Sequence, residues 1–269
     1  MGKFGNNLGG FSDENYNYWC RKYGKRNYEG LSRTQNFTLS AMNPVNSRVT
    51  SLAEKLGFKL VNTNSEVVNL TPDIVILTTP APITTAVAKE LAVLNDHTIF
   101  ISAAAGITHA DLAKVLPNKE IVNIIPNTPV EVNAGTIGLA LPTGISAEAI
   151  SKVMTVLDSL GDVIEVPERQ LDIIGVIGGC GPAFVDVMMD AMSDAAVKYG
   201  LDRQTAYEVI ASMVKGTGTL AYDSKLAPAL LRDQVTSPAG TTIKGVEALE
   251  KNGFRYAVMD AVDKANGES

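Results

Sequence analysis

Between residues 37 and 166, short β-branched apolar segments alternate with helix-period segments, and this alternation limits the fold more than any other feature of the chain. Ile74-Val75-Ile76-Leu77-Thr78-Thr79 is an unbroken apolar run, stopped by Pro80 and Pro82. A strand without polar alternation is covered on both faces, as strands of a parallel sheet are. Residues 98–102 form the next such run and end at Ala103-Ala104-Ala105-Gly106. Residues 121–125 form another, stopped by Pro126. Residues 37–42 read as an earlier strand, followed by a turn at 43–46, a helix closed by Gly57 and a short apolar piece at 58–61. Helical patterns cover 84–94, 110–116 and 147–160, and two further strands lie at 136–141 and 163–166. Strand and helix in alternation with short loops specify an α/β fold, a parallel sheet with helices on both faces. Ligands of such sheets bind beyond the carboxyl ends of the strands. Thr78-Thr79-Pro80, the 103–106 segment and Pro126-Asn127-Thr128-Pro129 fall there and together make one crevice wall.

After Val166 the strand pattern stops, which divides the chain into 1–166 and 167–269. Helical spacing runs through 167–177, breaks at Gly178-Gly179-Cys180-Gly181, and resumes over 183–198, where Pro182 suits a helix start. It continues over 205–221 and 227–231, and from 243 to the Gly253 stop and on to Ala265. Met188, Met189 and Met192 lie on the apolar side of the 183–198 helix. A small all-helical unit with this much apolar surface is expected to bury it against a partner.

Asp233-Gln234-Val235-Thr236-Ser237-Pro238-Ala239-Gly240-Thr241-Thr242 feeds the helix that begins near Ile243. Free N–H groups and a partial positive charge mark the first turn of a helix. Ser237, Thr241 and Thr242 add hydroxyls, and Gly240 lets a ligand approach the backbone. The plain reading is a helix cap; the sharper one is a site for a small anion such as a carboxylate.

Residues 1–36 differ in texture. No Ala, Val or Ile precedes Ala41, and Tyr, Asn, Arg and Lys abound, a poor composition for a strand or a core helix. Gly5-Asn6-Asn7-Leu8-Gly9-Gly10 is the nearest piece to a dinucleotide fingerprint, which needs a strand before it and a helix after it. Only residues 1–4 precede it, so a loop is the default reading.

A net charge of −6 disfavours nucleic acid or an anionic membrane as the main partner. No run of about 18 apolar residues points to a membrane span, and no apolar leader is present at the start. Cys20 and Cys180 stand far apart with no metal spacing, which suits a reducing cytoplasm. His97 and His109 lie in polar connections, and no metal site is expected.

Four segments in order resemble pyrroline-5-carboxylate reductases over most of residues 37–269. Ser102 to Ile107 is similar to the family's Ser-x-Ala-Ala-Gly-Ile, and residues 126–129 to its Pro-Asn-Thr-Pro. Residues 179–184 are similar to Gly-Ser-Gly-Pro-Ala-Tyr. Thr236 to Gly245 resembles Thr-Ser-Pro-Gly-Gly-Thr-Thr-Ile-x-Gly and is the most specific of the four. The resemblance implies a Rossmann-like domain followed by a helical dimerisation domain, and a homodimer that in this family often assembles into rings. It implies hydride transfer from NADP(H), with NAD(H) as the alternative, to the C=N carbon of 1-pyrroline-5-carboxylate, giving L-proline. On that reading Ser237, Gly240, Thr241 and Thr242 hold the carboxylate, and the Thr242 hydroxyl faces the ring nitrogen. Gly5, Asn7, Leu8, Gly9, Asn43, Asn64, Thr78, Thr79 and Ala104 become the cofactor residues. The sequence departs from the family pattern in three places. Its first strand and glycine fingerprint are not intact, Pro80 stands where a Lys is usual, and Met42-Asn43-Pro44 stands for Ser-Asn-Arg. Cys180 replaces a Ser and reads as a packing residue. A non-catalytic dimeric homologue with a degenerate nucleotide site therefore stays open. So does another reductase of the same architecture, such as a 3-hydroxyacid dehydrogenase, although residues 179–190 lack the Lys those enzymes place there.

Overall fold

A computed structural model of the protein describes residues 14–18, 23–34, 36–45 and 47–267. The chain divides into two compact units, Met1–Gly179 and Cys180–Ser269.

In the first unit an eight-stranded sheet has the order β3-β2-β1-β4-β5-β6-β7-β8. The strands are β1 (Glu14–Tyr18), β2 (Thr38–Met42), β3 (Lys59–Val61), β4 (Ile74–Leu77), β5 (Ile99–Ser102), β6 (Glu120–Ile125), β7 (Gly135–Ala140) and β8 (Gly161–Glu165). All neighbours pair in parallel except β6 and β7, so β7 and β8 run against the rest of the expected parallel sheet. The helices are α1 (Tyr23–Thr34), α2 (Ser47–Leu56), α3 (Asn64–Leu70), α4 (Ala81–Leu91), α5 (His109–Ala113), α6 (Ala147–Asp158) and α7 (Leu171–Gly175).

The unbroken apolar strands behave as their composition requires. Ile74 and Ile76 of β4, with Ile99 and Ile101 of β5, face a cluster completed by Leu31 of α1 and by Val153, Val156 and Leu157 of α6. Val75, Leu77 and Phe100 face the other way, onto Ala88 and Leu91 of α4 and Leu112 of α5. Successive side chains of a strand point to opposite faces, so one run serves two cores.

The region before residue 36 departs from its composition. β1 lies inside the sheet, third from one edge, paired with β2 on one side and β4 on the other. α1 buries Tyr28 and Leu31. Tyr28 stacks near Phe58, with ring centroids 4.2 Å apart, and donates its hydroxyl proton to the Ser40 carbonyl. Gly30 lies so close to the 128–132 segment that a Cβ there would sit 2.2 Å from the Val130 carbonyl oxygen. Asn133 Nδ2 donates to the carbonyls of Gly30, at 2.9 Å, and Ser159, at 2.6 Å, tying α1 to the end of α6. Backbone pairing and a few anchored side chains override weak local propensity here.

The second unit contains α8 (Gly181–Lys198), α9 (Arg203–Ser224), α10 (Pro228–Gln234), α11 (Thr241–Lys251) and α12 (Phe254–Ala265). α8 and α9 are joined by a tight turn capped by Asp202, which accepts the Thr205 N–H at 3.0 Å. Arg203 reaches back to Ser193 and Asp194, each at 2.8 Å. Only Ser193, Ala206 and Ile210 of these five helices are buried, while Val187, Val209, Leu220, Leu249 and Met259 are more than half exposed. The continuous helical stretch Glu168–Lys198 is long and apolar enough by composition to cross a membrane, with mean hydropathy 1.6 and 6% of that window buried. The sequence reading expected no such stretch. It looked for an uninterrupted apolar run, whereas the small residues at 178–181 let helix continue through a π turn, Val176–Cys180.

Candidate active site

Of the expected cofactor residues, the described ones Asn43, Asn64, Thr78, Thr79 and Ala104 follow strands of the sheet at their carboxyl ends. At the carboxyl ends of the strands, the register places Val61, Met42, Tyr18, Leu77, Ser102 and Asn123 in one row across β3, β2, β1, β4, β5 and β6. Asn43, Thr78 and Ala103 follow three of these directly. β1 sits between β2 and β4, so the chain reverses its direction of travel there, the switch point at which open α/β sheets take their ligands.

Asn43 is half-buried and its N–H donates to the Val61 carbonyl at 3.0 Å, pinning the end of β2. Asn64 opens α3 behind the Thr63 cap, whose hydroxyl accepts the Glu66 N–H at 3.2 Å. Asn64 Nδ2 donates to Glu90, and its Oδ1 is buried without a donor. Thr78 and Thr79 are buried at the end of β4. The Thr79 hydroxyl pairs with that of Thr84 at 2.8 Å, so its contribution to a ligand is backbone and shape. Ala104 is buried next to Ser102, whose Oγ lies 3.4 Å from the Ala104 nitrogen.

Gly5, Asn7, Leu8 and Gly9 lie outside the described residues. In chain order they precede β1, whereas a dinucleotide fingerprint follows its strand. The segment between β1 and α1 is Trp19-Cys20-Arg21-Lys22, which has two cations and no glycine. Sequence reasoning missed β1 because it lacks apolar residues; the signal within reach was the Tyr28 and Leu31 spacing of the helix after it. On the described part, strand order, small residues at the β5 end and the unpartnered Asn64 Oδ1 fit a dinucleotide.

In the second unit, the loop before α11 is a tight turn. The Gly240 N–H donates to the Ser237 carbonyl at 3.0 Å, with Ala239 left-handed at φ 57°. Gly240 precedes the helix with no side-chain cap. A Cβ on Gly240 would sit 2.4 Å from Ser237 Oγ, so the Ser237 hydroxyl lies directly over that glycine. The turn thus consumes the Gly240 N–H, and the N–H groups of Thr241 and Thr242 are left without an acceptor among the described residues. Ser237, Thr241 and Thr242 are exposed. Two backbone donors thus stand at the positive end of an 11-residue helix beside three exposed hydroxyl residues, an arrangement that suits a small anion.

A Rossmann-type sheet with the order 3-2-1-4-5-6 and a separate helical unit define a two-domain dinucleotide-dependent oxidoreductase scaffold. Residues 168–269 match the model for pyrroline-5-carboxylate reductase dimerisation, and residues 24–106 match that for NADP oxidoreductase, coenzyme F420-dependent. The pyrroline-5-carboxylate reductase of Synechocystis sp. is 35% identical over 202 residues, 75% of each chain. That of Methanosarcina acetivorans is 31% identical over 221 residues, 81% of each. The pyrroline carboxylate reductase of Plasmodium falciparum, solved with NADP bound, superposes with TM-score 0.81 at 25% identity, covering 96% of this chain and 98% of that one. The chain belongs to the pyrroline-5-carboxylate reductase family.

Proposed function

We propose that this protein reduces 1-pyrroline-5-carboxylate to L-proline, the last step of proline biosynthesis. The observation that carries the reading is the pair of unaccepted N–H groups at Thr241 and Thr242 beside the Ser237 hydroxyl, in a chain of this family. Bound NADPH or NADH supplies a hydride to the C=N carbon. Asn43, Asn64, Thr78, Thr79 and Ala104 would hold the nucleotide at the strand ends. Ser237 Oγ and the Thr241 and Thr242 N–H groups grip the substrate carboxylate, and the Thr242 hydroxyl then faces the ring nitrogen that gains a proton. The imine is basic, so positioning carries most of the chemistry and no strong protein acid is needed. The end of β2 offers Asn43 and Pro44 and no carboxylate for a ribose 2′-hydroxyl, which favours NADP(H).

The exposed apolar helices of residues 183–265 support a homodimer, with a ring of dimers as a further assembly. The same dimer accounts for the apolar Glu168–Lys198 stretch without a membrane. The free thiol of Cys180 suits a reducing cytoplasm.

The test follows NADPH and NADH oxidation with and without pyrroline-5-carboxylate. Substrate-dependent oxidation, weakened at least about tenfold in Ser237→Ala and Thr242→Ala, is expected. The atypical sequence of residues 1–36, without an intact glycine fingerprint, is what the non-catalytic reading rests on. A folded dimer that oxidises neither nucleotide would decide for it.

A further inference from the structure

A cavity of about 330 Å³ lies within the first unit, between the 104–108 loop, the outer end of β6 and the 168–172 segment. Its buried polar group is Asn123, only 5% exposed. Asn123 Nδ2 donates to the Ile107 carbonyl at 2.7 Å, which fixes the orientation of the amide. Its Oδ1 is buried with no donor. A buried acceptor left unmade is costly, and native structures leave few of them.

The remaining polar groups of the lining carry both signs. Glu168 and Asp172 supply carboxylates, and Arg169 a guanidinium. One Glu168 oxygen accepts the His109 N–H at 2.5 Å. Neither the Asp172 nor the Arg169 side chain has a hydrogen bond or ion pair among the described residues, although they stand three residues apart. The lining thus offers acceptors to a cationic donor and a cation to an anion, with Glu168, Arg169 and Asp172 exposed and Asn123 buried, in a volume at the small end for ligand sites.

We infer that this cavity is a second small-molecule site, for the zwitterion of a small α-amino or imino acid. Asn123 Oδ1 and the Glu168 and Asp172 carboxylates take the ligand's ammonium N–H groups, and Arg169 takes its carboxylate. The site shares no residue with the loop before α11 and does not depend on the reductase reading. Ala104, a proposed nucleotide residue, also lines the cavity, so occupancy bears on the nucleotide edge.

The full-length protein is titrated with glycine and with L-proline, followed by calorimetry and by backbone amide resonances. Glycine is expected to shift the amides of 105–108. Arg169→Ala, at an exposed rim position, and Asn123→Leu are each expected to weaken that response by about tenfold or more, while Thr242→Ala leaves it unchanged. No shift at 105–108, or a shift equal in wild type and Arg169→Ala, overturns the proposal. A response abolished by Thr242→Ala instead assigns the binding to the loop before α11.

Discussion

Ala239 adopts φ 57° as the third residue of the turn from Ser237 to Gly240. The left-handed region brings Cβ against the following carbonyl and costs a non-glycine residue about 1–2 kcal/mol. Glycine removes that strain but loses more chain entropy on folding. Ala239→Gly is therefore expected to stabilise the protein by up to about 1 kcal/mol, read as a higher Tm at fixed protein concentration. A lower Tm would mean that the methyl group packs usefully against a partner. The neighbouring glycine has a different role. Gly240 has φ −71°, so its backbone suits any residue, and what it provides is room for the Ser237 hydroxyl. The residue types of this loop were legible in the sequence as a helix entry. The strain at Ala239 and the use of the Gly240 N–H within the turn were not, because both depend on backbone torsions.

Elements are held to one another by a few polar clamps. Asn133 is itself left-handed, at φ 58°, a region that Asn tolerates better than most residues, and its one amide group bonds two carbonyls from different helix ends. Asn133→Ala leaves both carbonyls without that donor and adds backbone strain. A loss of about 2–4 kcal/mol is expected by urea denaturation, and a change below about 0.5 kcal/mol would show that water replaces the amide freely. At the start of α5, Thr108 and Asp111 form a reciprocal capping box. The Lys114 ammonium, the Thr108 hydroxyl and the Thr108 N–H hold the Asp111 carboxyl down to about 2 from its ordinary 3.8. A depressed carboxyl stabilises the fold above its unfolded value, and that contribution disappears as pH falls from near 3.8 towards 2. Carboxyl NMR titration is expected to give a midpoint near 2, moved upward in Lys114→Ala. An unshifted midpoint would mean the box does not form in solution. The sequence marked this helix only by apolar spacing and placed it at 110–116, because the cap lies in side-chain geometry that periodicity does not sense.

At the scale of the whole molecule, the two units balance differently. The sheet unit closes its own cores on both faces. The helical unit buries three residues among its five helices and leaves Val209, Met213 and Leu220 of α9 exposed. Such a surface is expected to be covered by a second copy, so stability should rise with protein concentration. Val209→Glu with Met213→Glu is expected to convert the dimer to a monomer by light scattering and to lower its Tm. An unchanged mass would move the interface off α9. By itself the sequence determined the α/β alternation, the parallel strands from β4 to β6, the helical second half and the family, because unbroken β-branched runs and helical spacing are local signals of burial. Only the tertiary structure decided that residues 14–18 form a strand inside the sheet and residues 23–34 a helix. Polar residues there carry no local signal, and the hydrogen-bonding edges of β2 and β4 supply the missing order. It also decided the reversal of β7 and β8 and the cavity around Asn123, since both arise from which distant segments meet.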